Sequence, residues 1–255
     1  MSNNGKGKGD FFLGEKSIYH KKERTPSENW KERLSSDSRM IASLYDRRAK
    51  YYDALVHILS LNMDVHYRKM AIQRLYLRSG DRVLDLGCGT GLDLPLLSQR
   101  VGPKGWVAGY DLSCGMLHRA YQRIDCRKYG NITLVRGNAA ELPFKDKSFD
   151  SLFCNYLLST VPAIRVIKEA FRVARPGATM VFADDRLPSG WFASPVKAMW
   201  EFLQGGYFNC ALPGIEVLRN RLSCVKITNH HGGLIFLLSG ILNDSDMTYT
   251  LNKRS

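Results

Sequence analysis

No stretch of this 255-residue sequence is long and apolar enough to cross a membrane. The longest apolar run, residues 233–242, is about half the length that a membrane-spanning helix needs and contains two glycines. The first residues also lack the apolar core of a signal peptide. The sequence therefore predicts a cytoplasmic protein, for which contact with a membrane is limited to the membrane surface.

Cysteine is scarce and scattered. The six cysteines, at positions 88, 114, 126, 154, 210 and 224, form no C-x-x-C pair and no cluster with metal-ligand spacing. The adjacent His230 and His231 are expected in a turn and are too few to bind a metal by themselves. We therefore expect reduced thiols and no metal site.

Acidic residues are in short supply, with 24 Asp and Glu against 37 Lys and Arg, which gives a formal net charge of +13. A positive protein attracts anionic partners such as nucleic acid or an acidic lipid surface. Because much of the excess is scattered along the chain, a soluble basic protein without such a partner fits the composition equally well.

The segment 82–91 has the pattern of a buried strand that runs into a glycine-rich turn. Val83, Leu84 and Leu86 give the apolar run of a parallel strand covered on both faces. Glycines at positions 87, 89 and 91 allow a sharp bend and the close approach of a ligand, since no Cβ stands in the way. A helix expected at 92–100 points its N-terminal amides back at that site.

A second strand, expected at 106–110, leads into Asp111, which lies twenty residues after Gly91. At this separation a β-α-β unit presents an acid to the hydroxyls of a bound ribose. Dinucleotide enzymes carry a third glycine at the position where this chain has Leu92. The pattern therefore indicates a nucleoside site that differs from the dinucleotide type.

The segment 85–91, Asp-Leu-Gly-Cys-Gly-Thr-Gly, resembles the nucleotide-binding motif of class I S-adenosylmethionine-dependent methyltransferases. The similarity extends over residues 79–242 and is closest to the branch of ubiquinone and menaquinone C-methyltransferases and phospholipid N-methyltransferases. Residues 45–53 resemble the Y-D-x-x-A-x-x-Y-D entry segment of that branch, and residues 137–144 resemble its G-D-A-x-x-L-P-F loop. The resemblance implies an α/β, doubly wound Rossmann-like fold: a seven-stranded mixed sheet with a C-terminal antiparallel hairpin and an N-terminal helical cap.

The resemblance also implies S-adenosyl-L-methionine as the cofactor. Asp85 and the backbone of the glycine turn would hold the methionine moiety, Asp111 the ribose hydroxyls, and Leu112 one face of the adenine. Asn138 replaces the acid that accepts a hydrogen bond from the adenine amino group, and an amide oxygen can still accept that bond. The predicted cofactor-binding residues are Asp85, Gly87, Cys88, Gly89, Gly91, Asp111, Leu112, Asn138, Ala139 and Asn155.

The loop after the fourth strand, residues 155–159, is expected to face the transferred methyl group, because ligands lie outside the carboxyl ends of parallel strands. Displacement at a sulfonium needs alignment and the exclusion of water rather than a metal. The predicted catalytic residues are Tyr45, Tyr52 and Tyr156. A general base is left open among Tyr45, Tyr52, His57, Tyr156 and Asp184.

Composition divides the chain into four parts. Residues 1–37 are poor in apolar side chains and predict a flexible arm, and residues 38–78 predict a helical cap over the cofactor pocket. Residues 79–242 form the methyltransferase core, in which 186–221 either make an acceptor lid or only cover the sheet edge. Residues 243–255 predict a polar tail.

The sequence therefore predicts methyl transfer to a small or amphipathic acceptor: a lipid headgroup amine, a quinone-type ring or a similar metabolite. The basic surface is consistent with peripheral contact with an anionic membrane. Nucleic-acid methylation is the first alternative, disfavoured because residues 155–158 lack an N-P-P-Y type loop. A methyltransferase-fold binding subunit without turnover and, more distantly, an arsenic methyltransferase are the others.

Overall fold

The computed structural model describes residues 36–59, 63–125, 129–185, 214–230 and 235–243. Nearly all of the predicted N-terminal arm lies outside these ranges, as do residues 186–213 of the predicted lid and the predicted tail after residue 243. The sequence pattern also predicts a helix at 196–203 within that lid, and it too lies outside the described residues.

The described residues form a seven-stranded mixed sheet with the strand order β3-β2-β1-β4-β5-β7-β6. β1 to β5 pair in parallel, whereas β7 runs antiparallel to both β5 and β6. The strands are β1 Arg82–Leu86, β2 Trp106–Asp111, β3 Ile132–Arg136, β4 Phe149–Asn155, β5 Ala174–Asp185, β6 Leu222–His230 and β7 Ile235–Leu242. This order confirms the predicted doubly wound fold, with its switch point between β1 and β4.

Helices cover both faces of the sheet. They are α1 Ser36–Arg48, α2 Tyr52–Leu59, α3 Met63–Gln73, α4 Leu94–Val101, α5 Cys114–Asp125, α6 Ala163–Val173 and α7 Ile215–Arg221. Side chains of α3, α4 and α5 share one buried apolar cluster with Val83, and those of α6 and α7 share the other with Leu84 and Leu86. The alternating side chains of β1 thus fill both cores, as the apolar run predicted.

Three local predictions differ from the structure. The sequence pattern predicts a fifth strand at 179–183, after the Pro-Gly pair at 176–177, but β5 begins at Ala174, directly after α6. β6 continues to His230, which therefore lies in a strand rather than in the turn. The helical pattern at 162–175 predicts that Ile164 faces inward, but this residue is 42% exposed, because the buried stripe of α6 begins one residue earlier, at Ala163, and continues through Val166 and Ile167.

The helical N-terminal region is also more broken than the pattern indicated. The helical pattern that begins at Ser38 carries an apolar stripe from residue 44 to residue 59 and predicts one helix through this stripe, but α1 ends at Arg48 and α2 begins at Tyr52. The break turns the chain so that Tyr45 on α1 and Tyr52 on α2 line the same cavity.

Candidate active site

A cavity of about 620 Å³ opens at the carboxyl ends of β1, β2 and β4. Its lining contains most of the residues that the sequence singled out: Tyr45, Tyr52, Gly87, Cys88, Gly89, Asp111, Leu112, Asn138, Ala139, Asn155 and Tyr156. We call Gly87, Gly89, Asp111, Leu112 and Asn138 the glycine wall. We call Tyr45, Tyr52, Arg68 and Tyr156 the tyrosine wall. Asp85 and Gly91 are buried and do not belong to the lining.

Gly89 and Gly91 have different roles in the glycine turn, although all three of its glycines share one backbone conformation. All have left-handed backbones, with φ of +80° at Gly87, +53° at Gly89 and +76° at Gly91. A Cβ at Gly89 would meet nothing within 4 Å, so this residue leaves the wall open to a ligand. A Cβ at Gly91 would lie 2.9 Å from the Cβ of Ala120, so Gly91 serves the packing of the turn against α5.

The carboxylate of Asp111 is fixed in the cavity wall by two backbone amides. Its Oδ2 accepts from the amide of Gly89 at 2.9 Å, and its Oδ1 accepts from the amide of Ser113 at 2.8 Å. Burial raises the pKa of Asp111, and the amides of Ser113 and Gly89 act in the opposite direction. The result is a carboxylate held in one orientation, suited to accept hydrogen bonds from a pair of vicinal hydroxyls.

Three buried charged groups lie close to this wall: Asp85, Asp93 and Arg68. Nη1 of Arg68 donates to Oδ2 of Asp93 at 2.6 Å, and Nδ2 of Asn155 reaches the same oxygen at 3.3 Å. Oδ2 of Asp85 and Oδ1 of Asp93 have no hydrogen-bond partner within the described parts of the chain. Burial, reinforced by the charge of Asp93, raises the pKa of Asp85 well above its usual value.

This cluster therefore carries more acid than base. Arg68 sits in it with a side chain that is about 10% exposed and also lies 3.5 Å from Asp64, measured between Nε and Oδ2. One guanidinium thus faces three buried carboxylates, two of which have an unpaired oxygen beside the cavity or just behind its wall. A ligand with a positive charge would relieve this imbalance. A sulfonium amino acid carries such a charge, so the residues of this cluster fit it.

The tyrosine wall brings together aromatic rings from three elements. The rings of Tyr45 and Tyr52 meet edge to face, with centroids 6.0 Å apart. The guanidinium of Arg68 lies 5.8 Å from the ring centroid of Tyr156, whose φ of +56° is unusual for a non-glycine residue. Burial, followed by the charges of Tyr52, Asp111 and Asp184, raises the pKa of Tyr45 well above its usual value, so its hydroxyl keeps its proton at neutral pH.

The remaining base candidates are placed elsewhere. Nδ1 of His57 lies 3.1 Å from Oδ1 of Asp64, and His57 is not in the cavity lining. Asp184 is buried, accepts from the amide of Ser159 at 2.9 Å and is likewise outside the lining. Of the five candidates, the structure brings only the three tyrosines into the cavity wall.

Asn138, at the other side of the glycine wall, is partly engaged by its own loop. Its Oδ1 accepts from the amide of Ala140 at 3.0 Å, which leaves the second lone pair of that oxygen for a ligand. Its carbonyl accepts from the hydroxyl of Tyr110 at 3.3 Å. Gly137 has to be glycine, because a Cβ there would lie 2.0 Å from that same hydroxyl.

Residues 33–190 match the model of the ubiE/COQ5 methyltransferase family. The chain belongs to this family. Similar relatives include the demethylmenaquinone methyltransferase of Geobacillus kaustophilus, 33% identical over 155 residues, and that of Listeria welshimeri, 31% identical over 154 residues. These matches cover 60% and 59% of this chain and 66% and 65% of the relatives, so the chain spans just under two thirds of their length.

Solved structures of low identity share the fold of this family member. A SAM-dependent methyltransferase from Aquifex aeolicus matches with a TM-score of 0.52 and 22% identity, over 69% of this chain and 89% of that one. Phosphoethanolamine N-methyltransferase 2 from Haemonchus contortus, solved with S-adenosyl-L-methionine, matches with a TM-score of 0.61 and 15% identity, over 70% and 52%. At these identities the likeness confirms the predicted Rossmann-like fold.

Two residues of the site, Arg68 and Asp93, are not predicted by the sequence patterns. Asp93 stands at the start of α4, where an acid is expected merely to complement the helix dipole. Arg68 pairs with it from 25 positions earlier in the chain, on α3, and no sequence spacing reveals such a contact.

Within the described ranges, no group of three or more His, Cys, Asp or Glu is placed to hold a metal ion, and no helix is long and apolar enough to cross a membrane.

Proposed function

We propose that this protein is an S-adenosylmethionine-dependent methyltransferase whose acceptor is a small, amphipathic molecule with a quinone-type ring. The observation that carries the proposal is the Asp111 carboxylate, fixed by the amides of Gly89 and Ser113 beside a turn that has no Cβ at Gly89. Membership of the ubiE/COQ5 family supports it, and so do relatives named demethylmenaquinone methyltransferases, which favour a ring carbon over a headgroup amine.

The glycine wall would hold the nucleoside part of the cofactor. Asp111 accepts from the ribose hydroxyls, Leu112 covers one adenine face, and Asn138 with Ala139 meets the adenine edge. The backbone from Gly87 to Gly89, with Cys88 between them, runs along the methionine part. The unpaired oxygens of Asp85 and Asp93 favour the positive charges of that part over a neutral ligand.

When bound, S-adenosylmethionine supplies an electrophilic methyl group on a positively charged sulfur. The chain's own residues hold the acceptor in line with that group and exclude water. Tyr45, which keeps its proton, and Tyr52 line the cavity, where their hydroxyls would form hydrogen bonds with the acceptor. Asn155 keeps Asp93 in place at the point where the two walls meet.

We assign the proton-accepting role to Tyr156. A quinol ring carbon becomes nucleophilic when a ring hydroxyl loses its proton, so the site needs an oxygen that can take that proton. Among the three tyrosines, Tyr156 is the one in the loop after β4, where the transferred methyl group is expected; its hydroxyl would take the proton of the ring hydroxyl and release its own to solvent.

The experiment uses the full chain, methyl-labelled S-adenosylmethionine and two acceptors, a short-chain demethylmenaquinol and phosphatidylethanolamine. We expect label on the quinol ring carbon, and markedly less of it at the same limiting cofactor concentration when Asp111 is replaced by Ala. Label on the amine instead would overturn the ring assignment and leave methyl transfer in place. Absence of label with both acceptors and with a fractionated lipid extract would contradict the proposed activity.

Contact with an anionic membrane is part of the same proposal. The formal charge of +13 and an amphipathic acceptor both favour binding at the surface of an acidic bilayer. Flotation with vesicles of phosphatidylglycerol and phosphatidylcholine should carry the protein at low salt and release it at high salt. Equal flotation with purely zwitterionic vesicles, or none with either, would remove this part of the proposal.

A further inference from the structure

Two Tyr-Asp pairs stand seven positions apart, at 45–46 and 52–53. In each pair the tyrosine lines the cavity, as part of the tyrosine wall. In each pair the aspartate that follows bonds to the core of the domain instead. The pairs flank the break between α1 and α2, where Ala49 is buried. We call residues 44–59, from α1 and α2, the roof of the cavity. The roof is therefore attached to the core of the domain at two points, one on each side of this break.

The first attachment joins α1 to the loop that carries Asp111. Oδ1 of Asp46 accepts from the hydroxyl of Ser113 at 2.5 Å and from the amide of Gly115 at 2.8 Å. The amide of that same Ser113 donates to Asp111 at 2.8 Å. The contact is tight, because a Cβ at Gly115 would lie 2.9 Å from the Cα of Asp46. Ser113 thus links the roof directly to the carboxylate proposed to hold the ribose.

The second attachment joins α2 to the glycine turn. Oδ1 of Asp53 accepts from the hydroxyl of Thr90 at 2.5 Å, and its Oδ2 pairs with the guanidinium of Arg123. Nε of Arg123 donates in turn to the carbonyl of Thr90 at 3.0 Å. Thr90 stands between Gly89 and Gly91, so this attachment reaches the backbone proposed to run along the methionine part of the cofactor.

Both aspartates reach water, although Ser113 and Thr90, which donate to them, are buried. Asp46 is exposed, and the side chains of Asp53 and Arg123 are 30% and 26% exposed. Partly exposed hydrogen bonds and ion pairs contribute less to stability than buried ones, because water replaces the lost contacts when they open. They can therefore break and re-form during turnover, unlike the buried pair of Arg68 and Asp93 beneath them.

We infer that Asp46 and Asp53 are positioning residues that couple occupation of the glycine wall to closure of the α1–α2 roof. The inference rests on the proposed function. A cofactor that orders the loops at Thr90 and Ser113 strengthens both attachments, and by linkage a closed roof slows the escape of that cofactor. Tyr45 and Tyr52 reach the acceptor in the right place only while the two aspartates hold.

Hydrogen exchange of the full chain with saturating S-adenosylhomocysteine tests this coupling. In the wild type we expect the ligand to protect both the glycine turn, residues 86–92, and the roof, residues 44–59. In the Asp46→Ala/Asp53→Ala variant the turn should stay protected, protection of the roof should fall about fivefold or more, and the ligand should dissociate about tenfold faster. Asp125→Ala, which removes an exposed acid at the end of α5, should match the wild type.

Conservative variants separate positioning from a general loss of structure. Asp46→Asn keeps an oxygen for Ser113 and Gly115 and should stay within about twofold of the wild type in both readouts, whereas Asp46→Ala should not. Asp53→Asn keeps the bond from Thr90 but loses the ion pair with Arg123, so it should fall in between. If the double variant loses its far-ultraviolet circular dichroism, the two Asp46 variants decide the question.

The outcomes distinguish the two proposals. If the ligand protects the glycine turn of the wild type but not the roof, or if Asp46→Ala and Asp53→Ala leave roof protection and dissociation unchanged, the coupling is wrong and the proposed function stands. If the wild type binds no S-adenosylhomocysteine at all, both proposals fail.

Discussion

The two walls of the cavity are built from different materials. The glycine wall uses backbone amides and short loops that directly follow β1, β2 and β3, and each part of it lies within one short segment of sequence. The tyrosine wall uses long side chains from α1, α2, α3 and the loop after β4, which come together from positions more than a hundred residues apart. The first wall is thus formed by loops next to the sheet, whereas the second depends on how α1, α2 and α3 pack against the rest of the domain.

This difference assigns a separate task to each wall. Backbone groups fixed by a sheet suit a ligand that never changes, and we propose that this ligand is the cofactor. Side chains on helices outside the sheet can vary in position without disturbing it, and we propose that they contact the acceptor. The buried Arg68–Asp93 pair lies where the two walls meet and ties one to the other.

The largest loss of stability is expected when the Arg68–Asp93 pair, which joins the two walls, is removed. Arg68→Met leaves Asp93, Asp85 and Asp64 buried without their cation, which should cost about 3 to 5 kcal/mol of unfolding free energy. Urea denaturation measures this loss, and Arg219→Met, at an exposed position of α7, is the matched control. A loss below about 1 kcal/mol would mean that the cluster is more hydrated than its burial indicates.

The two glycines at 89 and 91 should separate binding from packing. Gly91→Ala combines a left-handed backbone with a Cβ 2.9 Å from Ala120 and should cost about 2 to 4 kcal/mol of stability. Gly89→Ala meets open space, so it should cost only about 1 to 2 kcal/mol while obstructing the cavity and weakening S-adenosylhomocysteine binding. Equal stability of the two variants, measured by thermal unfolding and calorimetry, would argue against distinct roles.

A substitution in the tyrosine wall should lower the rate of methyl transfer rather than the affinity for the cofactor. Tyr156→Phe removes the proposed proton acceptor and should lower kcat roughly a hundredfold, with cofactor affinity changed by less than about threefold. Tyr76→Phe, at a position that is 77% exposed, controls for the loss of a hydroxyl. A kcat within twofold of the wild type would remove Tyr156 from the chemistry and leave the acceptor itself, or water, to manage the proton.

The smallest effect is expected from the pH dependence of Asp85. Its pKa is raised on folding, so the native state holds that proton more tightly than the unfolded chain. Ionisation of Asp85 therefore costs the ligand-free protein stability as pH rises above about 4, the ordinary value of an aspartate, towards the higher native value. Asp85→Asn should stabilise the ligand-free protein modestly at pH 7 and flatten this decline, which thermal unfolding across pH 4 to 8 would show. Destabilisation at pH 7 would contradict the account.

The glycine wall was largely predictable because its signals are local. The turn at 87–91, the acid at 111 and the loop at 137–139 each follow a strand whose apolar run is readable in the sequence, and all reach the cavity except Gly91, which packs against Ala120. The sequence could not show that Asp93 meets Arg68, nor that the helix expected across residues 44–59 breaks before Tyr52. Both depend on how separate layers pack, which no spacing along the chain encodes.

The central claim is that the glycine wall binds the cofactor through Asp111. Calorimetric titration of S-adenosylhomocysteine into the wild type and into Asp111→Ala tests it most directly, because the variant loses a charge-assisted contact worth about 1.5 to 3 kcal/mol. The account predicts binding to the wild type and an affinity roughly tenfold to a hundredfold weaker for the variant. Equal affinity of the two proteins, or no binding to the folded wild type, would contradict it.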